Sequence, residues 1–384
     1  LVDYYLQWGF MHISPFKLER FFARYEFKAP YLLCTSDCEP VSVSDIVDMD
    51  KSYLDKILHY NLGYINTDGQ GELKDSIANL YRSIKPENII VTNGAEEAIY
   101  LFMNIAINRG EHIIVQFPFY QSLGEIAKHI GANISFWECD NRQNWELDID
   151  YLKDNIRDNT KIIVLNMPHN PTGYISSLEK YNEIIEVARQ KNIIILNDEV
   201  YNGLEIDDNS RLPYISDLYE NGVSIGGLSK AYGLAGLRIG WIASQNKSII
   251  NEVNHYKDFT TICNSGISEL LAIFALQNRA KLLSRSLGII RGNIKLLTEF
   301  FNRYSELFNF IPPKGGTIAF PELKRDIDIE QFCIELVNKK GVLLLPGNYY
   351  DYDNRHFRIG FGRKNMPETL EIFENYIKEI FRVI

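Results

Sequence analysis

The sequence predicts an α/β protein: a large unit built on a mostly parallel, helix-covered sheet, accompanied by a smaller α+β unit. Three observations carry this. From about residue 85, short β-branched runs alternate with longer amphipathic segments, the pattern of βαβ units around a parallel sheet. After residue 285 the alternation gives way to a long helical pattern and short strand-like runs, an α+β layout. Informative polar residues fall just past the predicted strands, where open α/β sheets bind their ligands.

The strand runs are NIIV (88 to 91), HIIV (112 to 115), KIIVL (161 to 165), NIIIL (192 to 196) and VSIGG (223 to 227). Between them EEAIYLFMNIAI and SLEKYNEIIEVARQ repeat apolar residues at three and four, as helices covering a sheet do. The later part reads as a helix in RGNIKLLTEFFNRYSELF, a strand-like GGTIAF, a helix around DIEQFCIELVNKK, strand-like GVLLLP and HFRIGFG, and a closing helix from Pro367. The first 45 or so residues lack strong periodicity and are assigned to the small unit. The expected division is therefore 46–285 for the large unit, with 1–45 and 286–384 forming the small one.

A chain of 384 residues exceeds what one core usually fills, in keeping with two units. Its formal net charge of −10, with both signs interleaved, argues against nucleic-acid binding and offers no basic patch to a membrane. Apolar runs stay short of the roughly 18 residues a membrane helix needs. The five cysteines, Cys34, Cys38, Cys139, Cys263 and Cys333, form no paired ligand spacing, which points to a reducing, cytoplasmic setting and no metal site.

The candidate chemistry centres on Ser229-Lys230 in GGLSKAYGLAGLRIG. A lysine whose pKa is lowered by burial can form a Schiff base with an aldehyde and then shuttle protons, and Arg238 adds a forked cation suited to a phosphate. After strand 88 to 91, Gly94 and Ala95 open a helix whose free N–H groups can cradle phosphate, with Glu96 contributing its backbone. After strand 112 to 115, Tyr120 can lie against a flat ring. After strand 161 to 165, Asn170 in HNPTG can donate to a phenolate, while His169 reads as a turn histidine satisfied by backbone. After strand 192 to 196, Asp198 suits a pyridine nitrogen and Tyr201 a phenolic oxygen. A single cofactor, pyridoxal 5′-phosphate, accounts for all of these in order.

The motifs YINTDGQGELK, TNGAEEAI, FPFY, HNPTG, NDEVY, LSKAYGLAGLRIGW and FRIGFG resemble those of fold-type I pyridoxal-phosphate enzymes of the class I/II aminotransferase family, from about Tyr64 to the end. The resemblance implies an aspartate-aminotransferase-like fold. It implies that Lys230, Asp198 and Tyr201 are catalytic, with Lys230 holding the cofactor covalently and Asp198 pairing with its ring nitrogen. Tyr201 and Asn170 would bind the phenolate oxygen and Tyr120 would stack. Gly94, Ala95, Glu96, Ser229 and Arg238 would hold phosphate, with Tyr64 reaching in from the neighbouring subunit of a homodimer. Arg358, with Asn170, would bind the substrate α-carboxylate. Two positions depart from the family pattern: Gly227 stands where a hydroxyl is usual, and Cys38 stands at the apparent position of a substrate-facing glycine. The implied reaction is transfer of an amino group from an amino acid to a 2-oxo acid. Lyase, cyclase or oxidase chemistry on an amino acid is the alternative that the same residues support.

Overall fold

The computed structural model describes residues 13–382. Its centre is an eight-stranded sheet whose strands, in chain order, are β1 (Ile89–Thr92), β2 (His112–Phe117), β3 (Asn133–Asp140), β4 (Glu146–Leu147), β5 (Thr160–Asn166), β6 (Ile194–Asp198), β7 (Gly222–Gly227) and β8 (Gly240–Ser244). They lie in the order β1-β8-β7-β6-β5-β2-β3-β4. Strands β7, β6, β5, β2 and β3 run parallel, while β8 is antiparallel to both its neighbours.

The five strand runs read from the sequence all fall in this sheet. They are apolar almost throughout because both sheet faces are covered. Ile113, Val115, Ile162 and Val164 face one core with helices Ala95–Ala106, Ser122–Ile130 and Lys247–Lys257. The alternate residues Ile114, Ile163 and Leu165 face the other, against Tyr181, Ile184 and Ala188 of helix Leu178–Lys191. Strands β3, β4 and β8 escaped the sequence reading. In NISFWECD only Ser135, Trp137 and Cys139, on the face opposite the exposed Phe136, are buried, so charged and polar residues interrupt the run. Strand β8 lies inside the glycine-rich motif that follows Lys230.

Strand Tyr31–Leu32 pairs in parallel with Val342–Leu343, which ties residues before 45 to the C-terminal part of the chain. There Phe357–Gly360 is the middle strand of three, flanked by Ile318–Ala319 and Leu345–Pro346. The division expected at residue 285 falls inside one unbroken helix, Arg279–Arg303, so the chain leaves the large sheet along a continuous rod without a linker.

Strand direction places the site. The carboxyl ends of β2, β5, β6 and β7 share one edge of the sheet. Because β8 is antiparallel, it pairs its first residue, Gly240, with Gly227 at the end of β7 and with Thr92 at the end of β1. Residues just before β8 and just after β1 therefore arrive at the same edge.

Candidate active site

At that edge lies a cavity of about 480 Å³ whose walls include Ala95, Glu96, Tyr120, Asn170, Asp198, Tyr201, Ser229, Lys230 and Arg238. Nine residues singled out from separate stretches of sequence thus meet around one space. Lys230 stands three residues beyond β7, and its Nζ donates to Ser36 Oγ at 2.9 Å. Burial lowers its pKa, and Arg358 adds to this, against the opposing charges of Asp37, Asp198 and Glu19.

Asp198 ends β6 and is 6% exposed. Burial pushes its carboxyl up to about 6, while the Val200 N–H and the charge of Lys230 pull the other way. Tyr201 is almost fully buried, and among the described residues its hydroxyl finds no hydrogen bond of normal geometry, although Ser36 lies on that side. A buried hydroxyl left so is costly unless something in the cavity pairs with it.

Asn170 is oriented by its surroundings. Its Oδ1 accepts from Tyr350 Oη at 2.8 Å and from Arg358 Nη1 at 3.3 Å, which leaves the amide NH₂ as the free, donating end. Its backbone N–H is held by Asn166 Oδ1 at 2.7 Å. His169 is satisfied as expected, by Thr172 Oγ1 and the Pro118 carbonyl, and burial pushes its pKa down to about 3.

On the far wall, Gly94 caps helix Ala95–Ala106 with φ of 82°, a conformation suited to glycine. A Cβ there would sit 2.4 Å from Arg238 Nη2, so the guanidinium lies directly over the helix start. Glu96 borders the cavity; its carboxylate accepts from Ser122 Oγ at 3.2 Å, and burial raises its pKa to about 7. At Gly227 an added Cβ would make only ordinary contacts, the nearest at 3.5 Å, so the missing hydroxyl leaves usable space.

Arg358 is 2% exposed in the middle strand of the small sheet. It sits directly behind Asn170, with Nη1 donating to Tyr350 Oη at 2.7 Å and Nε to the Cys34 carbonyl at 3.0 Å. Cys38 does not reach the substrate side. Its thiol is fully buried in the core, where burial pushes it up to about 12, and it is absent from the cavity wall. Two residues earlier, Ser36 presents the side chain that meets Lys230. Tyr64 stands apart from the cavity, 92% exposed beside a surface depression with Leu62, Ile262 and Cys263.

Sequence reasoning missed Ser36, Tyr350, Phe16 and Glu19. Ser36 flanks the right segment, but nothing local says which of Ser36 and Cys38 faces inward. Tyr350 lies in GNYYDYD and Glu19 on an amphipathic helix, neither of which is a motif. Three other basic residues supply no free cation to the cavity: Arg24 and Lys28 are exposed and absent from its wall, and Lys314 is occupied by Glu146 and the Ile175 carbonyl.

The family model described as aminotransferase class I and II matches residues 54–373. The chain belongs to this family. Among curated proteins it is 29% identical over 293 residues to capreomycidine synthase of Streptomyces vinaceus, covering 76% of this chain and 75% of that one. Among solved structures, a PLP-dependent aminotransferase from Streptococcus suis superposes with a TM-score of 0.91 at 29% identity, covering 96% and 98% of the two chains. The PLP-dependent cyclase OrfR gives 0.89 at 26% identity with the same coverages. The class I/II aminotransferases work with pyridoxal phosphate, and this cavity fits it. A partly buried amine, a buried carboxylate, a tyrosine hydroxyl without a partner among the described residues, a donating amide and an arginine over a glycine-opened helix match the aldehyde, ring nitrogen, phenolic oxygen and phosphate of that molecule.

Proposed function

We propose that this class I/II aminotransferase transfers an amino group from an α-amino acid to a 2-oxo acid, with Lys230 as the proton-moving base. The observation that carries the reading is the placement of the Lys230 amine in one cavity with Asp198, and the Arg358–Tyr350–Asn170 network at its back. Pyridoxal phosphate, when bound, supplies an electron-withdrawing ring that stabilises negative charge at the substrate α-carbon. Lys230 holds the cofactor, and its Nζ, freed by the amino acid, takes the α-proton and later returns it. Burial favours the neutral amine that this task needs.

Asp198, poorly solvated by itself, gains a charged partner in a protonated ring nitrogen. Tyr201 Oη and the Asn170 NH₂ donate to the phenolic oxygen, and Tyr120 lies against the ring. The helix N-terminus at Gly94, Ala95 and Glu96, with Ser229 and Arg238, holds phosphate. Arg358 binds the α-carboxylate, with Tyr350 and the Cys34 carbonyl fixing its plane. Closure of the small unit, residues 1–45 and 286–384, over the substrate would exclude water.

The chain is proposed to act as a homodimer. Tyr64 lines a surface depression with Leu62 and Ile262, 51% to 92% accessible, that a second copy would cover, and Tyr64 of the partner subunit would then complete the phosphate site. A cytoplasmic location is supported by five unpaired cysteines; among the described residues no helix is long and apolar enough to cross a membrane.

Incubating the holoenzyme with a broad amino-acid panel and no acceptor should convert bound pyridoxal phosphate to pyridoxamine phosphate, with stoichiometric 2-oxo acid. A second reading, cyclisation or elimination at an amino-acid side chain, is favoured by the similarity to OrfR. Repeated turnover without any acceptor, with pyridoxal phosphate retained, would establish that reading and overturn transamination.

A further inference from the structure

Helix Lys17–Tyr25 roofs the cavity. Its Leu18 and Phe21 are buried, Phe16 packs on the Tyr120 ring with centroids 5.1 Å apart, and the Phe22 ring lies 5.5 Å from the Arg358 guanidinium carbon. Its start is pinned by Gln121, whose Oε1 accepts from the Lys17 N–H at 2.8 Å and whose Nε2 donates to the Pro15 carbonyl at 2.9 Å. This arrangement sets Glu19, still exposed to solvent, at the cavity wall, where its Oε1 accepts from Tyr120 Oη at 3.3 Å.

Among the described residues Glu19 has no ion-pair partner, and the lysine beside it, Lys17, is paired with Asp351. Glu26, the residue capping the end of the helix and half-buried, also has no ion-pair partner among the described residues; burial first, then Asp37 and Glu19, raise its pKa, against the charges of Arg358 and Arg363. Asp37 is itself paired with Arg363 at 2.9 Å.

An amino acid entering with its α-carboxylate on Arg358 and its α-amine engaged at Lys230 has only its side chain left to meet Glu19. A negative side chain would be repelled there, and an apolar one would strip water from an uncompensated carboxylate. We infer that Glu19 selects amino acids whose side chain ends in a cation, an amine or a guanidinium. The inference rests on the amino-acid orientation given under the proposed function.

The test uses the holoenzyme with L-ornithine, L-lysine, L-arginine, L-norleucine and L-glutamate, reading both the dissociation constant from the bound cofactor's absorbance and the rate of oxo-acid formation. The basic amino acids should bind about tenfold or more tightly than norleucine, as expected for a charge-assisted contact. Glu19→Gln should collapse that ratio, Glu19→Asp should keep most of it, and Glu19→Lys should turn preference toward glutamate. Arg20→Gln, on the same helix and as exposed as Glu19 but absent from the cavity wall, should leave the ratio alone.

A wild-type preference for glutamate or norleucine would overturn the inference, as would an unchanged ratio in Glu19→Gln. If basic amino acids bind preferentially and Glu19→Gln abolishes this, yet no pyridoxamine phosphate forms with any donor, the inference stands and transamination fails. If all donors transaminate without regard to side-chain charge, transamination stands and the inference fails.

Discussion

Tyr350→Phe removes one oxygen from the most connected point of the site. In the wild type that hydroxyl accepts from Arg358 Nη1 at 2.7 Å and donates to Asn170 Oδ1 at 2.8 Å, fully buried. Phenylalanine keeps the ring, so the change isolates these two bonds. A hydrogen bond to a charged group contributes about 1.5 to 3 kcal/mol. Arg358 Nη1 retains a longer contact to Asn170 Oδ1 at 3.3 Å and Nε keeps the Cys34 carbonyl, so the loss should lie near the lower end, roughly tenfold. Because the guanidinium meets the substrate carboxylate before and during the reaction, the loss should appear mainly in KM for the amino donor. A smaller fall in kcat should follow from the freed Asn170 amide, which no longer has its donating end fixed. Steady-state rates with a good donor measure both. A KM within about twofold of wild type would refute the idea that Tyr350 positions Arg358.

Gly94→Ala should weaken pyridoxal phosphate binding, since its Cβ meets Arg238 Nη2 at 2.4 Å and φ of 82° costs about 1 to 2 kcal/mol for a non-glycine residue. Gly227→Ser should do the opposite: there is room for the side chain, and one restored hydrogen bond of about 1 kcal/mol tightens the cofactor roughly fivefold. Cofactor titrations of the two apoproteins check both signs, and a weaker Gly227→Ser would contradict the second. Burial pushes Glu199 up to about 8, so between about 4.3, where it titrates when unfolded, and about 8 the folded apoprotein binds more protons and its stability falls as pH rises. Glu199→Gln should therefore gain stability over wild type progressively from pH 4 to pH 8 in urea unfolding; a pH-independent difference would contradict this. Mixing Lys230→Ala with Tyr64→Ala subunits should restore about a quarter of wild-type activity at limiting cofactor, because half the dimers are hybrids with one intact site. Absence of any recovery after verified subunit exchange would remove Tyr64 from the neighbour's site.

The sequence by itself determined five of the sheet's eight strands and the polar residues that follow them. Runs such as KIIVL and NIIIL are apolar because both sheet faces are covered, and a strand ending in a turn must deliver the next polar residue to the carboxyl edge. Asn170, Asp198 and Lys230 were therefore readable one strand at a time. Only the tertiary structure decided what meets across the cavity. Gly94 and Arg238 come together because β8 inserts antiparallel between β1 and β7, a pairing that glycine-rich local sequence does not announce. The choice of Ser36 over Cys38 depends on how one extended segment is laid against Lys230. Tyr350 finds Asn170 across 180 residues and Glu19 finds Tyr120 across 101, contacts fixed by packing of the small unit on the large one. Periodicity records which face of an element is buried; it carries no information about which distant side chain will be waiting there.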